Sequence, residues 1–139
     1  MSARRVELEA IGWVSSPLTD LAAAPKQGDE GAPEAWVELS PTLAPGLEGI
    51  AVGDELIVIT WLDRADRQAL RVHPRGDAAR PPQGVFATRS PDRPNPIGLH
   101  RVAVVEVDGE RLRVSGLEAI DGTPVLDLKP VLSADVGER

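Results

Sequence analysis

The chain has 139 residues, with 15 Lys and Arg against 22 Asp and Glu, a formal charge of −7, and 42% hydrophobic residues. A chain of this length is one ordinary domain in which about two-thirds of the unfolded surface can be buried, which excludes two large independent units. No apolar run approaches the roughly 20 residues that cross a bilayer, and the absence of cysteine excludes a disulfide framework, a thiolate nucleophile and Cys-ligated zinc.

A single domain over residues 1–139 is therefore expected, soluble and without a membrane partner. The N-terminus has two arginines but no apolar segment behind them, so it does not read as a signal peptide, and the cytoplasm is the default compartment. His73 and His100 are the only histidines, and no metal site is expected from them. The charge is unevenly distributed. Residues 1–63 sum to −8, residues 64–101 to +5 with arginine as the only cation, and residues 102–139 to −4. The central arginines either pair with a carboxylate or phosphate through their guanidinium forks or simply neutralise the acidic flanks.

Thirteen prolines and thirteen glycines interrupt the chain so often that few windows hold three helical turns, and strands must dominate. Val6, Leu8 and Ala10 alternate with charged residues, and residues 15–35 read as a long loop. Val37 and Leu39 flank Glu38 in a second alternating segment, and Pro41–Leu47 suits a short helical turn. Leu56–Leu62 and Val102–Val107 are more continuously apolar and predict strands buried on both faces. Residues 74–83 form a second polar loop. Asp108-Gly109 signals a hairpin into Arg111–Leu117, and Asp121-Gly122 a turn before Val125–Leu128. Trp13, Trp36 and Trp61 are expected in the core. Short strands at this spacing, with too little helix for crossovers, predict an all-β fold, a small β-barrel or sandwich.

Two stretches stand out. In Gly84-Val-Phe-Ala-Thr-Arg-Ser-Pro-Asp-Arg-Pro-Asn-Pro-Ile-Gly-Leu99, prolines 91, 94 and 96 fix φ and push their predecessors toward extended backbone. The result is a stiff support for Arg89, Arg93 and Asn95, one that cannot sit in mid-sheet. In Asp121-Gly-Thr-Pro-Val-Leu-Asp-Leu-Lys-Pro130, Asp121 can accept backbone N–H bonds and Gly122 can take positive φ, while Asp127 and Lys129 share a strand face. Asp63 and Arg64 close an apolar strand, where a barrel mouth would place them. No Gly-x-Gly-x-x-Gly or phosphate-loop fingerprint occurs, and neither histidine has a nucleophile motif beside it.

These two stretches, with Ile11-Gly-Trp-Val-Ser-Ser-Pro17, Pro25-Lys-Gln27 and Gly46-Leu-Glu-Gly49 in the same order, closely resemble the TsaA-like family, which includes TrmO-like tRNA methyltransferases. The resemblance spans about residues 10–132 and implies a β-barrel enzyme that uses S-adenosyl-L-methionine (SAM) and works as a homodimer with the cofactor near the subunit interface. The implied reaction is methylation of N6 of threonylcarbamoyladenosine, next to the anticodon of certain tRNAs. By motif, the implied cofactor-binding residues are Gln27, Gly28, Asp63, Arg64, Arg89, Leu99, Asp121, Gly122, Thr123 and Pro124, with Arg93 and Asn95 toward the substrate.

Methyl transfer from a sulfonium is an in-line displacement, so holding donor and acceptor together with water excluded supplies much of the catalysis. The acceptor nitrogen must also lose a proton, for which Asp63, Asp121 and His100 are unranked base candidates. The family often has His at position 63, a small hydroxyl residue at 100 and an aromatic at 131, where this chain has Asp63, His100 and Val131. With the acidic charge and the short length, the departures at Asp63 and His100 favour a second reading, a SAM methyltransferase of a small-molecule or protein acceptor. A third is a non-catalytic SAM-binding module.

Overall fold

The computed structural model describes residues 3–19 and 33–132. Eight strands occur among them: β1 (Gly12–Ser15), β2 (Ala35–Leu39), β3 (Glu55–Trp61), β4 (Arg71–Val72), β5 (Gln83–Gly84), β6 (Ile97–Asp108), β7 (Arg111–Ser115) and β8 (Pro124–Pro130). Six close into a barrel in the order β1-β2-β7-β6-β3-β8, each neighbouring pair antiparallel, while β4 and β5 form a separate small ribbon. Of the all-β barrel and sandwich that the punctuation of the sequence left open, the fold is the barrel, as the family resemblance implied.

Period-two alternation builds the interior. Val14 from β1, Val37 and Leu39 from β2, Leu56 and Val58 from β3, Val102 and Val104 from β6, Leu112 and Val114 from β7 and Val125 from β8 point inward and form one buried cluster. Medium-sized branched side chains suit a six-stranded interior, which is too narrow for stacked large rings. Register shifts at Ile59/Thr60 between β3 and β8, and at Val104/Glu106 between β6 and β7, are bulges of the kind that bend strands into closure. The 3-10 segment Pro41–Leu47 plugs one end, burying Leu47 while Ile50 packs against the core. At the other end the apolar rows give way to Thr60 and His100.

Four expectations are corrected. Residues 3–10 form no strand, and Val6 and Leu8 are 73% and 62% exposed. A closed barrel has no free edge to pair with them. The segments around Leu56–Leu62 and Val102–Val107 each bury one face rather than two. The three tryptophans lie outside the core, because each alternates with inward neighbours: Trp13 sits between buried Gly12 and Val14, and Trp36 between Ala35 and Val37. Trp36 is covered by Arg111, 3.9 Å above its ring, and Trp61 by Arg67 at 5.1 Å. Finally, the rigid loop ends at Pro96, and Ile97, Gly98 and Leu99 open β6 opposite Trp61, Thr60 and Ile59. The polar loop 74–83 contains a 3-10 turn at Pro74–Gly76 and runs into β5.

Candidate active site

The proline-rich loop is organised by its own side chains. It starts in a 3-10 turn, Val85–Ala87, anchored by fully buried Val85, whose N–H donates to Leu70 O at 3.0 Å. Arg93 Nη2 donates to Val85 O at 2.8 Å, and Nη1 donates to Thr88 O and Ser90 O at 3.1 and 2.9 Å. The carbonyls that the prolines leave without ladder partners are thus gathered by one guanidinium. A second arginine ties this loop to the one after β3: Arg67 Nε donates to Pro94 O at 2.7 Å and Nη2 to Asn95 Oδ1 at 3.2 Å, while the Asp66 N–H donates to Asp92 Oδ1 at 2.9 Å. Arg93 and Asn95, expected to face substrate, are therefore engaged in holding the two loops in shape.

The Asp121–Thr123 corner is fixed just as firmly, against the end of β1. The Gly122 N–H donates to Val14 O at 2.7 Å, and Asp121 Oδ1 accepts the Ser16 N–H at 3.0 Å. Gly122 has φ +82°, a region that costs a side-chain-bearing residue about 1–2 kcal/mol. Thr123 is buried and its Oγ1 donates to Ile120 O at 2.7 Å.

Between these supports, at the barrel mouth, lies an open cleft of about 1900 Å³. Asp63, Arg64, Arg89, Leu99, His100, Arg93 and Thr123 all line it, although they come from four separate segments. Arg89 is exposed there, and its guanidinium has no hydrogen-bond or ion-pair partner among the described residues. Asp121, Gly122, Pro124 and Asn95 do not line it. Gln27 and Gly28 lie outside the described residues. Farther along β6 the cleft reaches Glu55 and Arg101, paired at 2.9 and 3.3 Å. The Arg101 hydrogen bond, reinforced by its charge, holds the Glu55 carboxyl below its usual value.

The cleft floor holds a buried polar cluster that sequence reasoning captured only in part. His100, 4% exposed, has Nε2 2.8 Å from Thr60 Oγ1 and Nδ1 2.8 Å from Glu118 Oε1. An ionised carboxylate can only accept, so Nδ1 carries a proton and donates to Glu118, while Nε2 and the Thr60 hydroxyl share the second hydrogen bond. Register explains the meeting. Val58 faces His100 and Thr60 faces Gly98, so a missing side chain at 98 lets the imidazole lean across to Thr60. A Cβ on Gly98 would stand 2.5 Å from Thr60 Oγ1 and 2.8 Å from His100 Nε2. Glu118 and Thr60 were not among the candidates from sequence. The available signal was a single acid within Leu117–Ile120 and a single hydroxyl inside an apolar strand, each needing a buried partner.

The fold and cleft define a closed antiparallel barrel with a polar-floored site at one mouth, a class apart from doubly wound cofactor-binding proteins. The family described as the tRNA-methyltransferase O N-terminal domain matches residues 13–135, and the chain belongs to that family. A relative in Archaeoglobus fulgidus named a probable S-adenosyl-L-methionine-binding protein is 47% identical over 128 residues, covering 92% of this chain and 34% of the relative. One of the same name in Methanothermobacter thermautotrophicus is 42% identical over 130 residues, covering 94% of this chain and 93% of the relative. Among solved structures, TrmO from Pseudomonas aeruginosa superposes with a TM-score of 0.73 at 29% identity, over 96% of this chain. A second TrmO crystal structure gives 0.76 at 29% identity, over 99% of this chain. The chain spans 62% of each of those TrmO chains and about a third of the A. fulgidus relative. Among the described residues no helix is long and apolar enough to cross a membrane.

Proposed function

We propose that this chain binds SAM in the cleft at the barrel mouth and is a methyltransferase acting on tRNA, with N6 of threonylcarbamoyladenosine as the acceptor. The observation that carries the reading is the convergence of Asp63, Arg64, Arg89, Leu99 and Thr123 on one cleft from segments far apart in sequence. The donor set fits the cofactor. Arg89 offers a fork for its carboxylate, Asp63 an acceptor for its ammonium or ribose hydroxyls, and exposed Leu99 an apolar face for the adenine. Asp121, Gly122 and Pro124 act by fixing Thr123 in the wall, and Gln27 and Gly28 are assigned to the cofactor by family motif alone. When bound, SAM supplies an electrophilic methyl group on a sulfonium. The protein's contribution is to align the acceptor and keep water out.

The acceptor base belongs on the arginine-bearing rim. Arg64, Arg89 and Phe86, which is 78% exposed, line the same cleft, and an exposed aromatic ring together with guanidinium groups suits an unpaired base next to phosphates. Assembly as a homodimer would double this positive surface on an acidic chain and cover Ile97, exposed at the rim beside the cofactor cleft. A cytoplasmic location follows from a tRNA substrate. The charge of −7 favours one competing reading, a small-molecule or protein acceptor. Titration calorimetry with SAM, followed by transfer of labelled methyl to bulk tRNA from cells lacking the endogenous activity, tests both halves. Label in tRNA supports the proposal, and label confined to protein or metabolite fractions replaces it with the competing reading. SAM binding without transfer to any fraction would leave a binding module.

A further inference from the structure

Four carboxylates line the cleft, Glu55, Asp63, Asp92 and Glu118, and their surroundings differ: Glu55 is paired with Arg101, and Asp92 Oδ1 accepts the Asp66 N–H. Asp121 does not line the cleft, and its Oδ1 accepts the Ser16 N–H. Asp63 stands exposed at the rim. Glu118 lines the floor with its side chain only 20% exposed, and its Oε1 is held at 2.8 Å by the Nδ1–H of buried His100, which Thr60 in turn fixes through Nε2. Oε2 has no hydrogen-bond partner among the described residues. The result is a carboxylate oriented by a two-residue brace, with one oxygen left for whatever enters the cleft.

From this geometry we infer that Glu118 is the general base of the methyl transfer, and that His100 and Thr60 are positioning residues that aim it. This rests on the methyltransferase reading above. In the step, the acceptor N–H bond breaks and its proton passes to Glu118 Oε2. The electron pair left on nitrogen forms the new N–CH3 bond as the methyl leaves the sulfonium of SAM, and the S–CH3 pair returns to sulfur as a neutral thioether. Glu118 ends as the neutral acid, its Oε1 still accepting from His100, and loses the proton to solvent through the open cleft. His100 keeps one tautomer throughout, which distinguishes this arrangement from an imidazole base.

The test uses Glu118→Gln, which keeps an acceptor for His100 Nδ1–H but removes the basic oxygen. The expected loss in kcat is about 100-fold or more, the usual range for a general base, with SAM affinity by calorimetry within about twofold of wild type. Added formate should restore part of the loss in Glu118→Ala, which a purely structural role would not allow. Independently of activity, imidazole ¹⁵N spectra of the cofactor-free protein should show His100 with the proton on Nδ1. Wild-type kcat in Glu118→Gln, or His100 protonated at Nε2 alone, would overturn the inference. If the wild type transfers no methyl group in the same assay, the methyltransferase reading itself fails and the inference with it.

Discussion

Replacing Gly98 by alanine would place one methyl group in the tightest part of the site. Its Cβ would sit 2.5 Å from Thr60 Oγ1, 2.8 Å from His100 Nε2 and 3.2 Å from Leu62 Cδ1. Thr60 is fully buried on β3 and His100 is held at its other nitrogen by Glu118, so neither can swing away while keeping its partner. Either the Thr60–His100 bond breaks or β3 and β6 separate locally. A buried pair left unsatisfied costs about 1–3 kcal/mol, and an extra methyl group in a packed interior costs a further 1–3 kcal/mol or so. A total of about 2–6 kcal/mol is expected, read as a lower urea midpoint at unchanged m-value. The His100 ¹⁵N resonances should move in the same variant. A Gly98→Ala protein within about 0.5 kcal/mol of wild type, the range usual for inconsequential surface changes, and with unperturbed His100 signals would refute the packing argument.

Arg89→Ala should weaken SAM binding at least tenfold, about 1.4 kcal/mol, with thermal stability unchanged, and unaltered affinity by calorimetry would remove Arg89 from the cofactor site. Gly122→Val should cost about 1–2 kcal/mol in denaturant unfolding because of its φ of +82°, and should weaken SAM binding through Thr123. Arg93→Ala frees the carbonyls of Thr88 and Ser90 and takes one of three donors from Val85 O, so amide exchange across residues 85–93 should quicken while the barrel strands stay protected. Because the hydrogen bond and charge of Arg101 lower the Glu55 carboxyl, the pair stabilises the fold at neutral pH, and its contribution fades as pH falls through that depressed midpoint. An NMR titration should find the Glu55 midpoint higher in Arg101→Ala, and an unmoved midpoint would deny the coupling.

Local sequence rules carried the barrel a long way. Alternation at Val37 and Leu39 and at Leu112 and Val114, with the Asp108-Gly109 corner, places β2, β7 and the hairpin, since each signal is complete within a few residues. The same alternation also assigns the tryptophans to the outer face. Reading them as core gave weight to their size and none to their parity with Val14 and Val37. Val6 and Leu8 show the limit of the rule, because a strand needs a partner edge and closure of β1 onto β8 leaves none. The ribbon of β4 and β5 has too few residues for any periodicity to register.

For the site, the proline spacing foretold a stiff loop, whereas the use of Arg93 within it depends on which carbonyls the folded loop leaves open. The Glu118–His100–Thr60 cluster spans three segments and rests on the register between β3 and β6, which no local pattern encodes. The positive φ of Gly122 and the ion pair of Lys129 with Asp127, at 3.1 Å, were both legible, being contacts between near neighbours on one strand or turn.

Backbone chemical-shift mapping during a SAM titration locates the cofactor on the barrel residue by residue. The barrel has a second hollow of about 710 Å³ at its other end, lined by Leu43, Leu47 and Leu128, so binding at either end would be distinguishable. Binding at the arginine-rimmed mouth produces saturable shifts concentrated at Arg64, Arg89, Leu99, Glu118 and Thr123. Shifts centred on Leu43, Leu47 and Leu128, with the arginine-rimmed mouth silent, would contradict it.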